Sequence, residues 1–242
     1  MDSNQNATEF VAVQHREKSD YKKYSSRIST IVNLSSSSFS ADEKEAWEAN
    51  YHYQKEIITS FSYDKLKWIQ VASYYELQIP QGRTDFYSRT KLAFRDFLTD
   101  FTSKHPNISA TTIILPHVFG GNELQSRLIP TIQKMILGES VQFGSLDQMI
   151  PLMHVRDAAA ALLFAINSDQ KLCTAKPIWE GSLGSLLEVL LPNEENLHSA
   201  KFARSSEIYK STAIKFPEYL EGFEPQYKIS NLVNDLRLGH LI

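Results

Sequence analysis

Strand-like runs alternate with helix-like runs along the first half of the chain, and this alternation constrains the fold most strongly. The strand-like runs are apolar and end in small or polar residues, and they lie at 9–16, 29–36, 66–73 and 110–120. Helical spacing of apolar residues predicts helices over 41–61 and 86–104, with a turn-rich loop at 78–85 before the second. Strands joined by helices of this length pair in parallel through right-handed crossovers. The sequence therefore predicts an α/β fold, a parallel sheet with flanking helices.

The character of the sequence changes after residue 120, where short helices replace the regular alternation. They are predicted at 128–138, behind Asp157, at 181–191 and at 229–238. This half has the pattern of a smaller C-terminal substrate lobe laid over the strand ends, where open parallel sheets bind their ligands. We expect residues 1–125, with 150–170 contributing, to form a cofactor domain and 126–242 to form a substrate-binding lobe.

Composition and charge exclude several kinds of protein. The net charge is −3, from 25 basic and 28 acidic residues, and a nucleic-acid reader normally carries a basic face instead. Cys173 is the single cysteine and the histidines show no metal-ligand spacing, so neither a disulfide framework nor a metal site is expected. The longest apolar run, 158–166, is about half the length that spans a bilayer. With a polar start and no signal-peptide core, the chain is expected to be cytoplasmic, without membrane or nucleic-acid partners.

Four polar residues form a candidate catalytic set. Ser73 ends a predicted strand, Tyr87 and Lys91 lie one turn apart on the next helix, and Asn50 lies in the preceding helix. A tyrosine phenol is a weak base at neutral pH because its pKa lies near 10, and a neighbouring ammonium favours its phenolate form. A serine hydroxyl can hold the oxygen that the tyrosine serves. The set predicts acid/base assistance to hydride transfer at a carbinol carbon, although a Tyr-x-x-x-Lys pair alone is more often an ordinary helix-surface pair.

Five ordered segments carry a family resemblance. They are WIQVAS, YSRTK, IILPHVFGG, the stretch 128–166 and GFEPQYKISNLVNDL. In this order the chain resembles the extended short-chain dehydrogenase/reductase family, which includes the NAD-dependent nucleotide-sugar epimerases, dehydratases and 4-ketoreductases. The likeness is strongest from about residue 66 to 167. It implies a Rossmann-like fold and a cytoplasmic role in polysaccharide biosynthesis.

The resemblance also assigns roles to individual residues. It implies general acid/base chemistry at Tyr87, with Lys91 as activator and ribose ligand, Ser73 as the second oxygen holder and Asn50 as the active-site asparagine. Cofactor contacts are expected from Ser35, Ser36, Tyr87, Lys91, Pro116 and His117. Substrate contacts are expected from Tyr74, Asn122 and Arg204. The implied partners are NAD or NADP, a nucleotide sugar and, through the helices at 41–61 and 86–104, a second copy in a homodimer.

The chain departs from the family pattern at the dinucleotide-binding turn. The family places a Gly-x-x-Gly-x-x-Gly turn after its first strand, whereas the first glycine here is Gly82, so the pyrophosphate lacks its usual backbone cradle. Downstream, the arginine of the family's Arg-Asp-Phe segment is replaced in Ile150-Pro151-Leu152. Three explanations fit these departures: a truncated copy of a full enzyme, a divergent enzyme with a reduced cofactor site, or a silent relative that binds or regulates without turnover.

Overall fold

The computed structural model describes residues 28–37, 41–61, 65–121, 123–191, 200–202 and 214–238. The strands among them are β1 (Thr30–Asn33), β2 (Leu66–Ser73), β3 (Ile108–Leu115), β4 (His117–Phe119), β5 (Val141–Phe143), β6 (Leu152–His154), β7 (Leu172–Thr174) and β8 (Ala200–Phe202). The α-helices are α1 (Glu43–Trp47), α2 (Tyr53–Ser60), α3 (Phe86–Lys104), α4 (Leu128–Ile136), α5 (Val155–Ala165), α6 (Leu183–Leu190) and α7 (Ile229–Leu238). The strand predicted at 9–16, Asn122 and Arg204 lie outside the described residues.

Four parallel strands form the central sheet in the order β1-β2-β3-β7. β2 and β3 lie in the middle and are largely buried, which matches their continuous apolar sequence. Because α1, α2 and α3 cross between successive parallel strands, the carboxyl ends of β1, β2 and β3 lie at one edge of the sheet. The predicted α/β fold with a parallel sheet and flanking helices is confirmed.

The helix predicted over 41–61 is interrupted by a π-helical turn. This turn, Glu48–His52, separates α1 from α2, and the Tyr53 amide donates to the Glu48 carbonyl across it. Asn50 lies within the turn and is fully buried. Such single π turns are often found at functional sites, because they redirect side chains that a regular helix would stack.

The loop predicted at 78–85 is partly helical, so that prediction was wrong at its start. A 3₁₀-helix spans Tyr74–Gln81, capped by Ser73 and Glu76 at its beginning. It ends at Gly82, whose φ of 99° is left-handed and suits glycine. The turn-forming residues of 78–85 correctly predicted where this element ends. The helix begins before them, because the side chains of Ser73 and Glu76 cap the first backbone groups of a short helix.

Asp157 was expected to precede a helix, but it lies inside the first turn of α5. His154 is the N-cap, accepting from the Arg156 amide. The Asp157 carboxylate instead accepts from the backbone amides of Gln226 at 2.9 Å and Tyr227 at 3.0 Å. Asp157 therefore fastens the segment that leads into α7 against the start of α5.

The apolar core is divided between the sheet and the C-terminal elements. One cluster joins α2, α3 and β2 on one face of the sheet, and another joins α5 to β3 and β7. A further cluster packs α4, α6 and α7 together with β5 and β6. Among the described helices, none is both long and apolar enough to cross a bilayer.

Candidate functional site

Lys91 is a buried cation on α3 that contacts both Tyr87 and the central sheet. The residue is only 5% exposed. Its Nζ lies 5.5 Å from the centroid of the Tyr87 ring and donates to the Val71 carbonyl of β2 at 3.2 Å. An ammonium has three donors, and the contacts described for Lys91 use one of them in a hydrogen bond. The structure thus places the predicted tyrosine–lysine pair beside β2, two residues before Ser73.

Ser73 ends β2 and caps the 3₁₀-helix that follows it. Its backbone amide donates to Glu76 Oε1 at 2.8 Å, and its Oγ accepts from the Tyr75 amide at 3.3 Å. The residue is buried at the carboxyl end of a central strand. The first contact holds the backbone at Ser73 and the second restrains the hydroxyl oxygen, and such restraint is a requirement for a group that holds a reacting oxygen.

Asn50 links three segments through its side-chain amide. Its Nδ2 donates to Thr90 Oγ1 of α3 at 2.9 Å and to Ser37 Oγ at 3.0 Å. Its Oδ1 accepts from the Ser37 amide at 2.9 Å. Both Nδ2 hydrogens are therefore engaged, so Asn50 orders the loop after β1 against the helix that carries Tyr87 and Lys91.

A buried polar network connects the end of β1 to Lys91. Asn33 Nδ2 donates to Gln70 Oε1 at 2.8 Å, and Gln70 Nε2 donates to the same Val71 carbonyl that Lys91 contacts, at 3.0 Å. At the other end, Ser35 Oγ donates to Asn33 Oδ1 at 2.6 Å. The Ser35 hydroxyl, a predicted cofactor contact, is thus joined to the Lys91 ammonium through side chains on two neighbouring strands.

The other predicted cofactor contacts lie beside the strand ends. Ser36 Oγ donates to the Ser37 carbonyl at 3.2 Å in the loop after β1. Pro116 is buried between β3 and β4. His117 starts β4, and its Nε2 lies 3.9 Å from Glu123 Oε1. Burial, assisted by the positive charge of Arg127, lowers the pKa of His117 to about 4, so the imidazole is neutral at physiological pH.

Tyr74 is packed inside the protein, and its neighbour Tyr75 contacts Arg83. Tyr74 is 2% exposed and packs against Ala72 and Ile114, and burial raises its pKa well above the usual value. The Arg83 guanidinium lies 3.8 Å from the Tyr75 ring centroid, and its Nε donates to Ser88 at 3.0 Å. The arginine therefore joins the loop before Tyr87 to the 3₁₀-helix.

Sequence reasoning missed the residues that support the predicted ones. Asn33, Gln70, Thr90 and Glu76 were not selected, although each contacts a predicted site residue or the backbone group that holds one. The signal available for Glu76 was the Ser-x-x-Glu capping pattern. Within the described ranges, no group of three or more His, Cys, Asp or Glu side chains is placed to hold a metal ion.

Comparison with known proteins gives one family match and many structural neighbours. The sequence model of the "NAD dependent epimerase/dehydratase family" matches residues 1–174. No curated protein matches the sequence significantly.

Among solved structures, the chain is similar to a UDP-N-acetylglucosamine 4-epimerase from Methanobrevibacter ruminantium, at TM-score 0.67 and 16% identity over 86% of this chain and 74% of that one. It is also similar to a dTDP-glucose 4,6-dehydratase from Streptomyces venezuelae with NAD bound, at TM-score 0.73 and 11% identity over 93% and 77%. A third neighbour, an L-threonine dehydrogenase from Cupriavidus necator, has TM-score 0.67 and 13% identity over 93% and 83%. Identities this low establish a shared Rossmann-like fold and leave the substrate to be argued from the site.

Proposed function

Because the chain belongs to the NAD-dependent epimerase/dehydratase family, we propose that it is an NAD(P)-dependent epimerase, dehydratase or 4-ketoreductase of a nucleotide-activated sugar. The observation that supports this most strongly is the buried Lys91 ammonium, held between the Tyr87 ring and the β2 backbone. A buried lysine side chain is uncommon unless it is paired or functional. The proposal includes a cytoplasmic role in polysaccharide biosynthesis and the division into a cofactor domain at 1–125, with 150–170 contributing, and a substrate lobe at 126–242.

The residues of the chain have distinct roles in the proposed chemistry. Tyr87 Oη accepts the proton of a sugar hydroxyl as that carbon is oxidised, and returns it when the carbonyl is reduced. The Lys91 ammonium stabilises the negative charge on the tyrosine oxygen while the proton is absent. Ser73 Oγ donates a hydrogen bond to the same sugar oxygen. Asn50 keeps the α3 segment carrying Tyr87 and Lys91 in place through Thr90.

The site residues fit the ribose and nicotinamide end of a dinucleotide. Two of the three Lys91 donors remain for ribose hydroxyls after the bond to Val71, counting the contacts of the described residues. Ser35, Ser36, Pro116 and His117 border the same edge of the sheet, and the neutral imidazole of His117 adds no charge beside a nicotinamide. Bound NAD(P) would supply the acceptor and donor of hydride.

A panel of nucleotide sugars tests the proposal. UDP-glucose, UDP-N-acetylglucosamine, dTDP-glucose and CDP-glucose are each incubated with protein and NAD⁺ or NADP⁺, and products are separated by ion-exchange chromatography. Tyr87→Phe is expected to lower turnover of the accepted sugar about 100-fold or more, since acid/base catalysis contributes about 10²–10⁴. Tyr219→Phe, a change at an exposed tyrosine outside the candidate site whose hydroxyl donates to Glu180, is the matched control. Equal turnover in Tyr87→Phe and wild type would refute the assignment.

A second candidate is a relative of the same fold that binds without turnover. It is favoured by one observation, that residues 1–81 contain no glycine to approach a pyrophosphate closely. Calorimetric titration separates the two functions. Saturable binding of a nucleotide sugar without any product supports the binding module, whereas product formation supports the enzyme.

We also propose a homodimer formed through the helices at 41–61 and 86–104. Tyr51 of the π turn packs edge-on against Phe97 of α3, with ring centroids 5.9 Å apart, so the two helical segments form one surface. Analytical ultracentrifugation tests this proposal. A monomer at micromolar concentration would contradict it.

A further inference from the structure

Glu76 is a buried carboxyl group beside the proposed site that none of the roles above uses. The residue is 2% exposed. Its Oε1 accepts from the Ser73 amide at 2.8 Å, and its Oε2 lies 3.3 Å from Arg95 NH1 on α3. Burial of a carboxyl group is unfavourable unless it is hydrogen-bonded and paired. These two contacts therefore fix the side chain between the end of β2 and α3.

Glu76 lies near α3, the helix that carries Tyr87 and Lys91, as well as in the cap at Ser73. Burial raises its pKa, and the positive charges of Arg95 and Lys91 both oppose that shift. Lys91 and Arg95 are four residues apart on α3, so they are neighbours on one helix face. Glu76 thus lies between the strand end that carries Ser73 and the helix face that carries Lys91.

The cap assigns a direction to the Ser73 hydroxyl. A hydroxyl has one hydrogen to donate and two lone pairs to accept. The Tyr75 amide already donates to Ser73 Oγ at 3.3 Å. With that acceptor position used, the hydroxyl hydrogen remains for an oxygen of a bound molecule. The Glu76 carboxyl maintains this arrangement because it holds the Ser73 backbone in the cap conformation.

We propose that Glu76 is a positioning residue that orients the Ser73 hydroxyl as a hydrogen-bond donor toward the substrate oxygen served by Tyr87. The proposal rests on the proposed function. Glu76 itself touches neither substrate nor cofactor and acts through Ser73. If the cap served only folding, it would stabilise the 3₁₀-helix and leave the kcat of the folded protein unchanged.

A double-mutant cycle on the full chain separates these two roles. Glu76→Met removes the acceptor at similar volume, Glu76→Gln keeps an acceptor oxygen, and Ser73→Ala removes the hydroxyl. We expect Glu76→Met to lower kcat about 10- to 100-fold, the effect of leaving the buried Ser73 amide without its acceptor, with KM changed less than about threefold. Glu76→Gln is expected to retain kcat within about threefold. The exposed Glu188→Met is the control for the same exchange elsewhere.

The cycle gives a decisive outcome in either direction. If Glu76 acts through Ser73, the double variant Glu76→Met/Ser73→Ala is no slower than Ser73→Ala alone. Losses that multiply, or a Glu76→Met variant that keeps wild-type kcat while Ser73→Ala is impaired, overturn the proposal. If Glu76→Met does not fold, Glu76→Ala takes its place in the cycle, with the same outcomes. A large loss of kcat in Glu76→Gln also overturns the proposal, because the acceptor oxygen is retained there.

Amide hydrogen exchange tests the same link without turnover. The Ser73 amide is expected to exchange at least about tenfold faster in Glu76→Met than in wild type, and within about threefold of wild type in Glu76→Gln. Equal exchange in Glu76→Met and wild type would overturn the proposal. A wild-type protein that converts no nucleotide sugar refutes the proposed function alone, since the exchange result still decides whether Glu76 holds Ser73.

Discussion

Replacing Gln70 by leucine probes the polar network that connects β1 to Lys91. Gln70 is 3% exposed and its Oε1 accepts from Asn33 Nδ2 at 2.8 Å and Trp68 Nε1 at 3.0 Å. Leucine has a similar volume, so the change leaves no large cavity but deprives two buried donors of their acceptor. Each unsatisfied donor costs about 1–3 kcal/mol, and burying leucine in place of an amide offsets part of the sum. We expect a net loss of about 2–4 kcal/mol in the free energy of unfolding.

Urea unfolding followed by far-UV circular dichroism measures this change by linear extrapolation. Thr111→Val is the matched control, since Thr111 is fully buried on β3 beside Ile69 and its Oγ1 donates a long hydrogen bond, 3.4 Å, to the Ser168 carbonyl. Thr111→Val is expected to lower the free energy of unfolding by less than about 1 kcal/mol. A Gln70→Leu variant as stable as Thr111→Val would refute the claim that Gln70 Oε1 is a stabilising acceptor for Asn33 and Trp68.

Two further predictions concern His117 and the glycines of positive φ. Burial and the positive charge of Arg127 lower the pKa of His117 to about 4 in the folded protein. Between pH 4 and 6.5 the unfolded chain therefore binds more protons than the folded protein does. The free energy of unfolding should fall as the pH is lowered through this range, by about 3 kcal/mol at most. His117→Gln should flatten this slope in urea unfolding series, and parallel slopes in His117→Gln and the wild type would contradict the assignment. Gly120→Ala should destabilise by about 3 kcal/mol, because φ is 100° and a Cβ would meet His154 Nε2 at 2.8 Å. Gly138→Ala, where φ is 82° and no atom lies within 4 Å of the added Cβ, should lower the free energy of unfolding by about 1 kcal/mol. Similar melting temperatures for the two variants would contradict the claimed clash, because they would show that His154 moves aside.

The regular elements of the sheet could be predicted from the sequence because their patterns are local. β2 and α3 lie at 66–73 and 86–104, as the apolar patterns predicted. The π turn at Glu48–His52 could not be predicted, since one inserted residue barely changes helical periodicity. The 3₁₀-helix after Ser73 was missed although the Ser-x-x-Glu pattern was present, because Ser73 was interpreted as a strand end and a catalytic residue and not as a helix cap.

Part of the candidate site could also be predicted from local sequence patterns, whereas the rest depends on contacts between residues far apart in sequence. Tyr87 and Lys91 could be selected from their spacing on one helix, which the structure places beside β2. The Asn33–Gln70 contact depends on the register of β1 against β2, where these two residues are direct partners. No local pattern fixes the register between strands that are 37 residues apart in sequence.

Fluorescence titration with NADH and NADPH tests the central claim most directly, namely that Lys91 and Tyr87 form part of a dinucleotide-dependent site. The account predicts saturable binding that Lys91→Met weakens at least about tenfold, through loss of the ribose ligand. Lys55→Met is the matched control, because Lys55 Nζ lies 5.6 Å from the Tyr51 ring in a lysine–tyrosine pair outside the candidate site. No saturable binding at millimolar cofactor, or equal affinity in Lys91→Met and Lys55→Met, would contradict the account.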